Sequence, residues 1–194
     1  MNLNIRLARP GDMEQVLHLQ TQAIQMLCSK DYTPAQVDAI VQSQHEWRGQ
    51  QEVIYMAEKD HRLVGFIAFS LCSTKILGIY VHPDYTRQGI ATQLLQYFER
   101  RALGEQRQTL EVLSSLTAVA LYQSQGYVSV QKTKIVALGV SVPCLLMEKS
   151  MTMPSSVSGY ALNLSQSSSP HGFNLAPEVL WALFCVFLLL LLFL

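Results

Sequence analysis

A strand, a glycine-containing turn and an amphipathic helix follow one another directly in residues 76–99, ILGIYVHPDYTRQGIATQLLQYFE. The opening residues are mainly β-branched and aromatic, which favours a strand. Beyond the turn, apolar residues recur with the spacing of one helix face at Ile90, Leu94, Leu95, Phe98 and Ala102. The segment therefore predicts an α/β fold that is organised around this unit.

The residues before this unit predict one short strand and two helices. Residues 4–8 alternate like a strand, and the turn that follows ends at Asp12, an acidic residue suited to capping a helix over residues 13–27. A second helix is predicted to begin with Thr33 as its N-cap and Pro34 at its first position. Two helices thus come before any long strand.

Segments rich in β-branched and aromatic residues make up most of the remaining first 150 positions. Those before the central helix predict an antiparallel meander. After that helix, a further strand leads to a short helix that is closed by Gly126, and two more strands follow. The predicted strands are 52–59, 62–71, 73–82, 109–115, 127–138 and 142–150. Their order predicts a mixed, mostly antiparallel central sheet flanked by helices.

Charge is distributed unevenly along the 194 residues. Every Lys and Arg, and every acidic residue except Glu178, lies at or before Lys149. We therefore predict one globular domain in residues 1–150, a length that suits a single core. Residues 151–174 are rich in Ser and lack periodicity, which predicts a flexible linker. Residues 175–194 form a hydrophobic tail.

Several classes of partner are disfavoured by composition. The formal net charge is zero, so there is no basic excess to neutralise a phosphate backbone, and nucleic acid is not expected as a partner. The four cysteines show no CxxC or Cys/His spacing, which predicts no metal site and favours buried thiols in a reducing compartment. Residues 1–12 contain no apolar run of signal-peptide length, so the domain is expected in the cytoplasm.

The glycine-containing turn supports a more specific interpretation. Residues 86–91, TRQGIA, resemble the Q/R-x-x-G-x-G/A cofactor signature of the GNAT superfamily of N-acyltransferases. Gly89 is the central glycine and Ala91 fills the last position, whereas Thr86 stands where Gln or Arg is usual. At such a turn a pyrophosphate meets free N–H groups and the positive end of the helix dipole, and glycine lets it approach the backbone closely.

A second segment supports the resemblance. Residues 115–130, SLTAVALYQSQGYVSV, resemble a later helix of the family, written around N-x-x-A-x-x-x-Y-x-x-x-G-F/Y. The resemblance implies that Tyr122 is a general acid beside the cofactor sulfur, where a phenol with an ordinary pKa near ~10 can protonate the departing thiolate. Without the upstream signature, the same helix would predict a core aromatic residue at this position.

The resemblance also implies contacts with acetyl-CoA and with the acceptor. Backbone groups of the strand that opens residues 76–99 are expected to pair with the pantetheine arm and to polarise the thioester carbonyl. The two helices predicted before the first long strand, with the loop between them, are expected to cover the acceptor site, so that Tyr32 and Trp47 shape the substrate pocket. The alternative is a capped turn with a packed indole. The expected cofactor contacts are Ile79, Tyr80, Val81, Thr86, Arg87, Gln88, Gly89, Ile90, Ala91 and Thr92.

No motif identifies the general base. The candidates are Asp31, Tyr32, His45, Glu46 and His82. In this family a water chain often takes the place of a dedicated base, so the resemblance does not choose among them.

The predicted activity is transfer of an acetyl group from acetyl-CoA to a primary amine by direct attack. Because no base is identified and Thr86 departs from the signature, a non-catalytic acyl-CoA-binding or regulatory module tethered to a membrane is the alternative. The long linker and tail also allow a membrane-tethered interaction factor. The sequence leaves the acceptor open, because acceptor pockets depend on loops without portable motifs.

The tail predicts membrane association. Residues 179–194 contain no charged residue, and with residues 175–177 they approach the ~20 residues that a helix needs to span a bilayer. We therefore expect a single-pass C-terminal helix that anchors the domain on the cytoplasmic side. Because no Lys or Arg flanks the segment, a shorter membrane-buried or partner-packed helix is the alternative.

Overall fold

A computed structural model describes residues 3–47, 52–71 and 73–151. Its helices and strands follow the predicted order. They are β1 (Asn4–Leu7), α1 (Met13–Leu27), α2 (Pro34–Trp47), β2 (Glu52–Lys59), β3 (Arg62–Ser70), β4 (Lys75–Val81), α3 (Ile90–Gly104), β5 (Thr109–Ser115), α4 (Val119–Ser124), β6 (Val128–Ala137) and β7 (Val140–Ser150). The predicted linker and tail lie outside the described residues.

The described strands form one seven-stranded sheet of order β1-β2-β3-β4-β5-β7-β6. All neighbouring strands are antiparallel except β4 and β5, which confirms the predicted mixed sheet. β4 and β5 pair only through Lys75 with Glu111 and Ile76 with Val112, although β5 continues to Ser115. The two strands therefore separate beyond their first residues and leave an opening in the sheet.

Different helices cover the two faces of the sheet. Ile67 of β3 packs with Leu94 of α3, whereas Phe66, the preceding residue, packs with Val16 of α1. Because successive side chains of a strand point to opposite faces, α3 and α1 lie on opposite sides of the sheet. The predicted apolar stripe of α3 is confirmed, since Ile90, Leu94, Leu95, Phe98 and Ala102 are each at most 4% exposed.

A third apolar cluster attaches the α1–α2 segment to the hairpin of β6 and β7. Tyr32, Val37 and Ala39 pack with Ala137 and Val142, and all five are buried. Burial of a large apolar side chain contributes about 1.5–3 kcal/mol. Leu116, directly after β5, donates its N–H to the Tyr32 hydroxyl, so the α1–α2 segment is held close to the end of β5, beside the opening.

The starts of the two helices differ from each other. Thr33 caps α2 as predicted, because Gln36 N–H donates to Thr33 Oγ1 at 3.4 Å and Thr33 N–H donates to Gln36 Oε1 at 3.0 Å. Asp12 occupies the predicted N-cap position of α1, but its side chain makes no capping hydrogen bond to the helix. The Asp12 carboxylate instead accepts from the Arg6 guanidinium at 2.7 and 3.1 Å and from Arg9 N–H at 2.7 Å, which ties the helix to β1.

Candidate active site

The loop between β4 and α3 presents backbone N–H groups at the start of the helix. Arg87 (φ 62°) and Gly89 (φ 78°) both adopt a left-handed conformation, so the chain turns sharply before Ile90. A Cβ added at Gly89 would come no closer than 3.9 Å to another group, the Gln93 side-chain nitrogen, so the loop is open on this side. Gln93 N–H bonds to Gly89 C=O at 3.0 Å. The N–H groups of residues 90–92 therefore have no acceptor within the helix.

The side chains of this loop mostly support its shape. The Thr86 hydroxyl, at the position where the family signature has Gln or Arg, donates to Pro83 C=O at 3.0 Å. Arg87 and Gln88 are exposed, whereas Ile90 is buried and secures the helix. What the loop offers to a ligand is thus mainly backbone N–H and the positive end of the α3 dipole, a combination that suits a phosphate group.

The register of β4 divides the three residues predicted to pair with pantetheine. His82 N–H donates to Val64 C=O at 2.9 Å. Hydrogen-bonded and non-bonded pairs alternate along an antiparallel ladder, so the backbone of Tyr80, two residues earlier, also faces β3. The backbone groups of Ile79 and Val81 point the other way, toward the opening. Tyr80 therefore contributes its side chain, and Ile79 and Val81 contribute backbone groups.

The Tyr80 ring has a defined place because of Gly78. The ring stacks on Phe66 with its centroid at 5.0 Å. A Cβ at Gly78 would lie 2.7 Å from a carbon of the Tyr80 ring, so only glycine leaves room for the ring in this position.

A cleft of about 560 Å³ passes through the opening between β4 and β5. On one side it is lined by Ile79 and Tyr122, which belong to the apolar cluster that includes α3. On the other side it is lined by residues of α1 and α2, including Ile24 and Gln44. Its volume lies within the ~300–1,000 Å³ typical of ligand sites. The cleft connects the two faces of the sheet.

Tyr122 lies in this cleft and is only 2% exposed. Its ring contacts the edge of Tyr127 at a centroid distance of 5.3 Å. Burial raises the pKa of Tyr122 above its ordinary value, and the neighbouring Tyr80 adds to this effect. The phenol therefore stays protonated at neutral pH, as a proton donor must.

The backbone of Tyr122 is fixed by the end of α4. Tyr127 N–H donates to Tyr122 C=O at 3.0 Å, and Gly126 N–H donates to Gln123 C=O at 3.0 Å. These two bonds define a Schellman motif, which needs a left-handed residue, and Gly126 supplies it with φ 86°. The glycine that the sequence predicted as the end of this helix thus holds the candidate acid in place.

Tyr32 is placed in the wall of the cleft, and its hydroxyl is engaged with the backbone. The hydroxyl accepts from Leu116 N–H at 2.8 Å and donates to Pro143 C=O at 3.0 Å. Burial also raises its pKa, so Tyr32 offers a ring to a substrate and is a poor base. Trp47 is the last residue of α2, and its side chain lies outside the described part of the chain.

The other candidate bases are not brought into the cleft where they are described. Asp31 accepts from Thr117 Oγ1 at 2.6 Å, and His82 Nδ1 accepts from Asp84 N–H at 3.3 Å. Neither Asp31 nor His82 lines the cleft. The side chains of His45 and Glu46 lie outside the described residues.

The structure adds polar residues to the cleft that the sequence motifs do not indicate. Their positions follow from periodicity once the core face of each element is known. Glu111 lies between Leu110 and Val112, which face the core. Gln44 lies four residues after Ile40 on the inward face of α2. The added polar residues are Gln20, Ser43, Gln44, Glu52, Lys75, Glu111, Ser114 and Ser115.

Comparison with known families agrees with this geometry. The profile of the acetyltransferase (GNAT) domain matches residues 28–149. The chain belongs to the GNAT acetyltransferase family. This GNAT chain is also 29% identical over 141 residues to the uncharacterized N-acetyltransferase YafP of Escherichia coli (strain K12), a match that covers 71% of this chain and 89% of the relative.

Solved structures show the same GNAT fold. A GCN5-related N-acetyltransferase from Rhodopseudomonas palustris superimposes with a TM-score of 0.73 at 24% identity, covering 77% of this chain and 96% of the other. The PaiA N-acetyltransferase of Thermoplasma acidophilum, solved in complex with coenzyme A, gives a TM-score of 0.60 at 19% identity, covering 77% and 99%. The GNAT fold predicted from the two motifs is thus confirmed.

Two further features of the described residues concern metals and membranes. Within residues 3–47, 52–71 and 73–151, no three His, Cys, Asp or Glu side chains are grouped as metal ligands would be. Over the same residues, no helix combines the length and the apolar character that crossing a bilayer requires. The predicted anchor in residues 175–194 lies outside this range.

Proposed function

We propose that this GNAT enzyme transfers the acetyl group of acetyl-CoA to a primary amine acceptor. The cleft through the sheet is the observation that carries the proposal. Acyl transfer between two bound molecules requires that the donor carbonyl and the acceptor nitrogen meet in a fixed orientation. A passage with Tyr122 toward one face and α1 and α2 at the other allows the two substrates to approach from opposite sides.

The residues present fit acetyl-CoA. The N–H groups of residues 90–92, together with the open surroundings of Gly89, suit a pyrophosphate at the start of α3. The backbone groups of Ile79 and Val81 are directed into the opening, where the amides of an extended pantetheine arm can continue the sheet hydrogen bonding. These two features lie at successive positions along β4 and its following loop, as an elongated ligand requires.

The chemistry then requires two proton movements. The acceptor nitrogen attacks the thioester carbonyl carbon, so that a C–N bond forms and the C–S bond breaks. Tyr122 is proposed to protonate the departing thiolate, because its phenol is protonated and lines the cleft. The acceptor nitrogen loses a proton, and the described carboxylates that line the cleft, Glu52 and Glu111, are the proposed proton acceptors, directly or through water.

Tyr122→Phe, with Tyr97→Phe as control, tests the catalytic part of the proposal. Tyr97 lies on α3, packs against Tyr55 of β2 and does not line the cleft. We expect Tyr122→Phe to bind acetyl-CoA with unchanged affinity in calorimetric titration and to lose about 100-fold in kcat for thiol release with an amine panel. Tyr97→Phe should retain both properties.

The outcomes separate the alternatives. Failure of the wild-type protein to bind acetyl-CoA would contradict the proposal as a whole. Binding without turnover of any amine would instead favour the non-catalytic acyl-CoA module. Full activity in Tyr122→Phe would remove the tyrosine from the mechanism while leaving the transferase activity in place.

Anchoring by residues 175–194 stays a prediction from the sequence. It is tested by flotation of the full chain with lipid vesicles. A charged residue at the centre of a membrane helix is costly, so Leu188→Arg should reduce flotation strongly, whereas Ser167→Arg in the predicted linker should not. Equal flotation of both variants would contradict the anchor.

A further inference from the structure

We infer that Gln44 recognises a second hydrogen-bond donor on the acceptor amine. The inference rests on the proposed function and names the chemical class of its acceptor: a primary amine with a largely apolar body that carries another N–H or O–H group. Gln44 lies on α2 and lines the cleft on the face of the sheet opposite α3.

The orientation of the Gln44 carboxamide follows from its neighbours. The Thr21 hydroxyl has a single proton, which it donates to Leu17 C=O at 3.0 Å. Thr21 Oγ1 must therefore accept from Gln44, and Gln44 Nε2 lies 2.5 Å from it. The nitrogen of the amide thus faces α1, and the oxygen, Oε1, is left on the other side.

Gln44 Oε1 is a buried hydrogen-bond acceptor without a partner in the described part of the chain. The whole residue is only 5% exposed. A buried carbonyl oxygen that makes no hydrogen bond is unfavourable, so such groups are usually satisfied by a ligand, water or a neighbouring side chain. Gln44 is a residue of the cleft wall, and its oxygen lies just beneath that wall, so a small rotation of the carboxamide on binding lets an acceptor molecule supply the missing donor.

The surroundings define what kind of molecule this is. Ile24, Ile40 and Val142 line the same part of the cleft, which favours a hydrocarbon body. A carboxylate cannot donate a hydrogen bond, so it is disfavoured beside Oε1. Among the described residues, the carboxylates Glu52 and Glu111 and the ammonium of Lys75 line the cleft, and the carboxylates favour an ammonium over a hydroxyl as the second donor.

Three families of amines with equal chain length test the inference. They are simple alkylamines, amino alcohols and diamines, each from propyl to octyl, and thiol release from acetyl-CoA gives kcat/KM for each. We expect diamines to be the best acceptors, amino alcohols to be intermediate and alkylamines to be the poorest at the optimal length. The difference between diamine and alkylamine measures the value of the second donor.

Substitutions of Gln44 assign that difference to its carboxamide. Gln44→Met keeps the length of the side chain and removes the oxygen, and it should reduce the diamine-to-alkylamine ratio of kcat/KM about 10- to 100-fold. Gln44→Glu keeps an oxygen acceptor and should retain the preference. Gln42→Met, at an exposed position on the same helix, is the matched control and should retain the wild-type ratio.

Acetyl-CoA titration of every variant separates this inference from the proposed function. A wild-type protein that binds no acetyl-CoA contradicts the proposed function itself. A wild-type protein that binds acetyl-CoA but prefers alkylamines, or acetylates none of these amines, overturns the inference. So does a Gln44→Met variant that binds acetyl-CoA and keeps the wild-type ratio.

Discussion

A partly buried ion pair fixes α3, the helix that follows the loop at Gly89, to the far end of β7. Lys149 Nζ lies 2.8 Å from Glu99 Oε2, and the two side chains are 23% and 11% exposed. Lys149 Nζ also lies 5.6 Å from the centroid of the Tyr127 ring. Glu99 Oε1 makes no hydrogen bond of ordinary geometry among the described residues, although the Tyr127 hydroxyl, whose pKa is raised by burial, lies near enough to the carboxylate for Glu99 to raise that pKa further. The ammonium is therefore the main compensation for this carboxylate.

Lys149→Met removes the ammonium and keeps most of the side-chain volume. Removing one partner of a fully buried ion pair leaves the other charge unpaired and lowers the free energy of unfolding by about 3–5 kcal/mol. Because Lys149 is 23% exposed and water can reach the site, we expect a loss of about 2–3 kcal/mol in the free energy of unfolding. The double variant Glu99→Leu/Lys149→Met leaves no unpaired charge and should lie within about 1 kcal/mol of wild type.

Urea denaturation followed by circular dichroism measures these differences, with an unchanged m-value as evidence that the midpoint shift reflects stability. Glu105→Gln is the control, because the Arg101–Glu105 pair is exposed at 40% and 43% and should contribute less than about 1 kcal/mol. If Lys149→Met is no more destabilising than Glu105→Gln, or if the double variant is the least stable protein of the set, then Lys149 does not compensate a costly buried charge on Glu99.

Three further outcomes are expected. The raised pKa of Tyr122 keeps its phenol protonated in alkali, so kcat should not fall between about pH 8 and 10, and a decline that Tyr122→Phe abolishes would contradict this. Hydrogen bonding from Arg6 lowers the pKa of Asp12 from 3.8 to about 2. The ionised Asp12 carboxylate therefore stabilises the folded state above the unfolded pKa, and this contribution is lost as pH falls toward 2. The difference in Tm between wild type and Asp12→Asn should therefore shrink over that interval, and a constant difference would count against it. Gln106 follows α3 with φ 57°, a left-handed conformation that glycine adopts more easily. Gln106→Gly should therefore raise the free energy of unfolding by about 0.5–1 kcal/mol in thermal melts. Gly126→Ala should lower it, because Gly126 also has a positive φ.

Much of the fold could be predicted because its signals are local. Strand segments and the apolar stripe of α3 repeat with periods that a single element imposes on its own sequence. The Thr33–Pro34 start of α2 and the Gly126 end of α4 depend on backbone groups a few residues away. Asp12 shows the limit of this reasoning, because a more distant residue, Arg6, holds the carboxylate that a local rule assigns to the helix.

The site was predictable only where it coincides with a local motif. The turn at Gly89 and the position of Tyr122 in its helix are visible in the sequence, and the GNAT resemblance follows from them. Which backbone groups of β4 face the opening depends on its pairing with β3, and the orientation of Gln44 depends on Thr21 of another helix. Neither the β4–β3 pairing nor the Gln44–Thr21 hydrogen bond produces a pattern in the sequence around those residues.

The order of the elements, the glycine turn before α3 and the helix that carries Tyr122 can be read from the sequence, since each depends on interactions between close neighbours in the chain. The separation of β4 and β5 after Ile76 and Val112, and the cleft that passes between them, depend on the tertiary fold. The same fold brings Glu111 and Gln44 into the lining of one cleft. The reason is physical: a cavity is defined by side chains from distant segments, and their approach depends on the packing of the whole domain.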